Sequence, residues 1–361
     1  MKRRQFLSSA LAAGSYFALR RKGFAASRRQ DGGPVIDAHA HFYPESWVKL
    51  IESEGGASGA KMTRNADSWL FTLEGWRNVR IARSSVDIPE RLKIMDQQGV
   101  DIEALALTTP MVNWAPPDLA VKLSRVYNDS TSAVCREHPT RFVGCVSLPL
   151  IAPERAVEEL DRAVKLPGIR AVSMPTGVRG KELDDPSFLP LYRRCEQLSL
   201  PVLLHPVETL GRERTAKFYL ENLLGNPYDT GLAAARLIFG GVMDMFPKLE
   251  VMLPHGGGTF PALVGRLNRG VEQRDELKHM KKPASAYLRR FTYDTIVHDD
   301  ALLMNLIRLV GAVRIVLGSD FPFDMGYDRP VEVVERLTTL SAADRDQILG
   351  GTAAKLFRIG G

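Results

Sequence analysis

From residue 35 onward the chain alternates between two hydrophobic patterns. Short runs rich in β-branched and apolar residues cover Val35 to Phe42, Asp101 to Thr108, Phe142 to Leu148, Ile169 to Met174, Pro201 to His205, Leu249 to His255, Phe291 to Ile296 and Arg314 to Asp320. Each has the length of a strand. Between them, stretches such as Pro89 to Gln98, Asp118 to Glu137, Pro153 to Lys165, Ser187 to Leu198 and Asp300 to Leu309 repeat their apolar residues at helical spacing. Eight strands separated by helices predict an α/β fold, a (β/α)8 TIM barrel over residues 35–357, with functional groups at the carboxyl ends of the strands. A doubly wound open sheet is the alternative.

Two stretches interrupt the repeat. Residues 43–88 separate the first strand from its helix and contain Gly55-Gly56-Ala57-Ser58-Gly59, then a Trp69/Phe71/Leu73 alternation that reads as a hairpin. This predicts a small β insertion over the barrel mouth. Residues 209–228, after the fifth strand, read as a second, helical insertion. The tail from Ser341 to Phe357 reads as a closing helix with Ser341 as its N-cap.

Polar residues then fall in a telling place. Val202-Leu203-Leu204 runs into His205, Val251-Met252-Leu253-Pro254 into His255, and Ile315-Val316-Leu317-Gly318-Ser319 into Asp320. The first strand carries Asp37, His39 and His41, which regular alternation puts on one face. Two imidazoles at i and i+2 near a strand's end are the start of a metal site, although an isolated pair fits a half-buried strand equally well. His39, His41, His205 and His255 are four of only seven histidines in the chain. They can meet one another and Asp320 only if the sheet closes. His138 and His279 read as solvated, and His298 as a helix cap or rim hydrogen bond.

Composition adds a leader and removes one class of partner. Lys2-Arg3-Arg4-Gln5-Phe6-Leu7, a mildly apolar segment and Gly23-Phe24-Ala25-Ala26 resemble a twin-arginine signal peptide over residues 1–26. That pattern implies a periplasmic or exported protein. No later stretch is apolar enough to span a bilayer, so no stable membrane anchor is expected after signal removal. The formal charge of +6 belongs to the leader: residues 1–25 hold six basic residues and no acidic one, and 48 basic residues less these six leaves 42, equal to the 42 acidic residues. Nucleic acid is therefore not an expected partner. Cys135, Cys145 and Cys195 are widely spaced in apolar contexts and read as packing residues rather than a disulfide framework or a thiolate zinc site.

Asp37-Ala38-His39-Ala40-His41, His205-Pro206, Pro254-His255-Gly256-Gly257-Gly258-Thr259-Phe260-Pro261 and Gly318-Ser319-Asp320-Phe321-Pro322-Phe323 resemble the metal-dependent decarboxylase branch of the amidohydrolase superfamily. The aminocarboxymuconate-semialdehyde decarboxylase group within it is the most similar. Met95-Asp96-Gln97-Gln98-Gly99-Val100, Arg141-Phe142-Val143-Gly144 and Val264-Gly265-Arg266 extend the likeness over nearly all of residues 35–357. The resemblance implies that His39, His41, His205 and Asp320 bind one divalent metal, zinc first and manganese second, with no organic cofactor. It implies that His255 is the general acid/base; Asp320 would shuttle protons with it if the enzyme is a hydrolase. Arg266 would reach into a neighbouring subunit's site, which makes the protein a homodimer. Arg83, or alternatively Arg80, would bind a carboxylic acid substrate, and Trp114 would stack on it or serve as a buried plug.

The implied reaction is non-oxidative decarboxylation of an unsaturated or aromatic carboxylic acid. Hydrolysis of a lactone, ester or amide on the same barrel is the alternative, because metal, base and fold are shared by both chemistries. A non-catalytic binding protein would have no need of a poised base. Ser84 to Pro89 and Val207-Glu208 depart from the family pattern at the expected pocket mouth, so the substrate is expected to differ from that of the most similar group.

Overall fold

The computed structural model describes residues 32–76 and 78–360. The leader expected over residues 1–26 lies outside the described residues. Eight parallel strands follow the hydrophobic runs: Ile36–His41, Ile102–Ala106, Phe142–Ser147, Ile169–Pro175, Val202–His205, Val251–Leu253, Phe291–Asp294 and Ile315–Val316. Each is hydrogen-bonded to the next in that order. The eighth closes on the first through parallel bridges Asp37↔Leu317 and Ala40↔Phe321, with Ala38 N–H donating to Leu317 O at 2.9 Å and His41 N–H to Phe321 O at 2.8 Å. The sheet is a barrel, and the open doubly wound alternative is set aside.

The barrel interior is packed with residues such as Ile36, Ala38, Ile102, Cys145, Leu203 and Met252. Ala353, Leu356 and Phe357 from the end of the chain join the same cluster. These residues belong to a tail that is helical over Ala342–Asp346 and Thr352–Phe357 with a π turn at Gln347–Gly351 between. Ser341 caps it as expected, its side chain accepting from Asp344 N–H at 3.1 Å. The π turn sits where the tail crosses the chain's entry into the barrel: a Cβ at Gly350 would lie 1.9 Å from Pro34 O. The three cysteines are free and buried.

The expected helices appear with shifts of a few residues. Asp87 caps Ile88–Gln98 by accepting from Glu90 N–H at 3.0 Å, and Gly99 ends it at φ 73°. The stretch expected as one helix from Ser187 starts as a 3-10 turn, Pro186–Phe188, and becomes α-helical at Leu189–Leu198. In the first insertion, the helix Glu45–Glu54 was not foreseen; it buries Trp47, Val48 and Ile51. The expected hairpin is a three-stranded antiparallel sheet, Lys61–Arg64, Ser68–Thr72 and Val79–Ala82. The second insertion is only partly helical, with Arg212–Thr215 and a π turn at Glu221–Gly225 leading into the helix Asn226–Phe239. No helix of the described residues is long and apolar enough to cross a membrane.

Candidate metal centre

The first strand departs from simple alternation, and the departure makes the site. Asp37 pairs with Glu103, yet Ala40 pairs with Leu105 and His41 with Ala106, so the register shifts between Asp37 and Ala40. The extra residue is a β-bulge, which reverses the facing of everything after it. Ala106 belongs to the interior cluster and Leu105 to the outer one. His41 therefore faces into the barrel with His39, whereas Asp37 faces outward beside Glu103. The expectation that Asp37 shares the histidines' face is corrected: alternation of period two holds only until a bulge interrupts it.

His39, His41, His205 and Asp320 converge. One donor atom from each lies within 4.8 Å of all the others, and all four residues are buried. His39 Nε2 and His41 Nε2 are 3.1 Å apart, and His41 Nε2 is 2.8 Å from Asp320 Oδ1. The far side of two rings is anchored: His39 Nδ1 meets Asp294 Oδ2 at 2.7 Å, and His205 Nδ1 meets Pro206 O at 2.9 Å and Thr108 Oγ1 at 2.8 Å. An Nδ1–H spent on a fixed acceptor leaves Nε2 as the lone pair for a metal.

The electrostatics fit a cation. Burial pulls His41 down to about 4, so it is neutral, the ligating form. Burial would raise Asp320, but the hydrogen bond from His41 and the neighbouring imidazoles outweigh it and bring it to about 2. His39 runs the other way: burial lowers it, while the bond to Asp294 and the nearby carboxylates raise it above the ordinary value. Any second proton those carboxylates hold on the ring competes with a metal for Nε2. The imidazoles of His39, His41 and His205 with the Asp320 carboxylate are the donor set of a divalent transition ion, three nitrogens and one oxygen.

His255 stands beside this cluster, at the end of the sixth strand. Its backbone is left-handed at φ 54°, and its Nε2 lies 3.9 Å from Asp320 Oδ2. Burial lowers its pKa, with Asp320 opposing. Gly256, Gly257 and Gly258 continue at positive φ, and a Cβ at Gly258 would come within 2.1 Å of Pro227 O. The three glycines serve a tight turn packed against the backbone of Pro227.

Asp294 was missed by the sequence reasoning. Its Oδ2 accepts from His39 Nδ1 and from His255 N–H at 2.9 Å, while its Oδ1 accepts from Gly256 N–H at 2.8 Å and Ile296 N–H at 3.0 Å. It is wholly buried. One carboxylate thus ties a candidate metal ligand to the loop of the candidate base. The available signal was an acid at the carboxyl end of the run Phe291-Thr292-Tyr293-Asp294.

The remaining candidates lie outside the cluster. Trp114 is buried, its ring 5.2 Å from Phe71 of the insertion and its Nε1–H on Met111 O at 3.1 Å, the arrangement of a packed plug. Arg83 is exposed and 3.6 Å from Asp87, and Arg80 Nε–H donates to Ser68 Oγ at 3.2 Å. Arg266 is exposed on the helix Phe260–Gln273. His298 has its backbone N–H on Tyr327 Oη at 2.8 Å, and Asp299 caps the next helix. A cavity of about 290 Å³ opens beside the fifth strand's end, lined among others by Trp76, Thr176, Val207, Glu208 and Asp229. Burial raises Glu208, and burial with the charges of Glu182 and Glu208 raises Asp229 to about 6 despite the Thr176 hydroxyl it accepts from.

A family described as amidohydrolase matches residues 36–359. The chain belongs to the amidohydrolase family. This amidohydrolase is 33% identical over 326 residues to the 2-amino-3-carboxymuconate-6-semialdehyde decarboxylase of Dictyostelium discoideum, covering 89% of this chain and 91% of the relative. It is 29% identical to the gamma-resorcylate decarboxylase of Rhodococcus jostii, over 74% of this chain and 87% of that one. Among solved structures, the dihydroxybenzoic acid decarboxylase of a Polaromonas species, with bound manganese and the inhibitor 2-nitroresorcinol, superposes at a TM-score of 0.75 with 26% identity, covering 91% and 98% of the two chains. The amidohydrolase thus has a metal site at His39, His41, His205 and Asp320.

Proposed function

We propose that this amidohydrolase is a metal-dependent, non-oxidative decarboxylase of an unsaturated or aromatic carboxylic acid. The observation that carries the reading is His255, a neutral imidazole whose Nε2 lies 3.9 Å from the carboxylate of Asp320 at the edge of a four-donor metal site. The decarboxylases among its relatives support it. A divalent cation at the four donors supplies a Lewis acid for the carboxylated end of the substrate; three imidazoles and one carboxylate suit zinc, and the neighbour's manganese supports manganese as an alternative.

The chain's own residues do the proton work. When the bond to the carboxyl carbon breaks, its electron pair stays on the ring or diene carbon and carbon dioxide leaves. A proton must then reach that carbon. His255 takes a proton from water on Nε2, beside the Asp320 carboxylate that favours its charged form, and passes it to the carbon; the hydroxide left behind is taken up by the solvent, so no oxidant or organic cofactor is required. Asp294 keeps the His255 loop in place through two backbone N–H groups.

The substrate's carboxylate also calls for a cation. Arg266 fills this role from a partner subunit in a homodimer; it lies beside Ala262, Leu263 and Gly265 on an exposed and largely apolar helix face. Arg83 is the second cation, brought in from the surface, and Trp114 shapes the mouth from behind. The twin-arginine-like pattern over residues 1–26 supports a periplasmic or exported protein.

The deciding experiment incubates metal-reconstituted protein with a panel of unsaturated and aromatic carboxylic acids and lactones, following carbon dioxide and product mass. Metal-dependent carbon dioxide release that vanishes in His255→Ala supports the reading. Ring opening or ester cleavage without carbon dioxide, with oxygen from labelled water in the product, makes the protein a hydrolase instead. Dimers mixing Arg266→Ala with His255→Ala subunits should regain activity if Arg266 serves its neighbour.

A further inference from the structure

Behind the metal site, on the outer side of the first strand, a complete guanidinium is buried. Arg91, on the helix Ile88–Gln98, has no exposed surface, and neither does its partner Glu103. Its Nη1–H donates to Glu103 Oε2 at 2.8 Å, and its Nη2–H donates to the carbonyl of His41. The head lies over the ring of Phe321, its Cζ 4.8 Å from the centroid. His41 is one ligand, and Phe321 follows another, Asp320. The two backbone segments are themselves laced together, His41 N–H to Phe321 O at 2.8 Å and Asp320 N–H to His39 O at 2.9 Å. Arg91 therefore touches both segments that carry three of the four donors, from the side opposite the metal.

Stability alone gives a poor account of this residue. A buried ion pair is often matched or exceeded by apolar residues of similar volume, because desolvating the charges costs as much as their attraction returns. What an apolar side chain cannot do is fix a carbonyl and an aromatic face at a set distance with one rigid plane, which is the particular property of the guanidinium fork. The Asp37↔Leu317 and Ala40↔Phe321 bridges close the barrel at the bulge, where the ladder is irregular and a brace has most to hold.

We propose that Arg91 is a positioning residue of the metal centre: it sets the separation of the His41 and Asp320 donors by clamping the His41 carbonyl against the Phe321 ring. Lysine keeps the charge and loses the fork, so Arg91→Lys separates positioning from burial of a cation. The control is Arg141→Met, since Arg141 bonds Asp101 O and Asp96 at the other end of the second strand and should lower stability without touching the metal.

The test is chelator competition for zinc and manganese on metal-free protein, together with the unfolding temperature of the metal-free form. Arg91→Lys is expected to weaken metal binding roughly 10- to 100-fold, the usual effect of losing a group that orients a ligand, while unfolding no earlier than Arg141→Met. Phe321→Leu, which removes only the stacking face, is expected to weaken binding in the same direction by less. Wild-type metal affinity in Arg91→Lys overturns the proposal, whatever its stability. If Arg91→Lys does not fold, Phe321→Leu decides by the same criterion. No substrate enters the measurement, so the proposal stands or falls independently of decarboxylation.

Discussion

Replacing Asp294 by asparagine tests the centre where metal ligand and base are joined. The carboxylate accepts four hydrogen bonds, from the His39 imidazole and the backbone N–H groups of His255, Gly256 and Ile296. Asparagine has nearly the same shape but only one acceptor oxygen. Whichever way the amide turns, its NH2 faces two donors, either His39 with His255 or Gly256 with Ile296. Leaving buried donors unpaired costs about 1–3 kcal/mol each, so a total of about 2–6 kcal/mol is expected for the two. Part of this falls on stability. The part on His39 falls on metal affinity, where losing an orienting partner costs roughly 10- to 100-fold. Chelator competition measures the second and thermal unfolding of the metal-free protein the first. Turnover should fall further than metal loading alone explains, because the His255 loop moves as well. If Asp294→Asn binds metal at wild-type strength and turns over normally once loaded, the tie between ligand and base has no functional content.

Asp229, raised to about 6 from 3.8, is ionised against the preference of its surroundings at neutral pH. A group with a raised folded pKa favours folding below its unfolded value and loses that contribution as pH climbs through the folded one, so Asp229→Asn should be more stable than wild type by up to about 3 kcal/mol at pH 8. The gain should vanish near pH 4; a variant less stable at pH 8 sinks the argument. Because burial lowers His255 and the neutral form is the competent base, kcat/KM should lose its acid limb only below the ordinary histidine value of ~6.5. A limb above that value would count against His255. Metal at about 100 times its dissociation constant should stabilise the protein by ~2.7 kcal/mol, seen as a rise in unfolding temperature that His41→Ala abolishes.

The barrel and the four metal donors were legible because His41, His205 and Asp320 stand where strand-like runs stop and His39 lies two residues before the first of them, and such runs are the strongest signal a strand leaves in a sequence. His205, His255 and Asp320 follow three unbroken hydrophobic residues or nearly so. The bulge was not legible, since one extra residue between Asp37 and Ala40 changes facing without changing composition. Asp294 was hidden by its neighbours Phe291, Thr292 and Tyr293, which read as strand and drew attention from the acid at their end. Trp47, Val48 and Ile51 had helical spacing, but the glycines at 55 and 56 and the Trp69/Phe71/Leu73 alternation made the whole stretch read as a small β insertion. Arg91 sits in Pro89-Glu90-Arg91-Leu92-Lys93, where nothing local separates a buried guanidinium from the solvated charges around it. Facing, capping and burial of single polar groups are decided by tertiary contacts that no local pattern records.

The floor of the barrel has a consequence for how this chain comes into being. Its last layer is Ala353, Leu356 and Phe357, which cover Ile36, Ala38 and Leu203. A nascent chain that has finished all eight strands still presents an open, greasy end to water, and the first strand waits for the final helix more than 300 residues behind it. Strand-by-strand assembly on the ribosome therefore gains little. Cooperative folding begins only once that helix has been made, and until then the half-built cylinder depends on whatever in the cell shelters exposed hydrophobic surface.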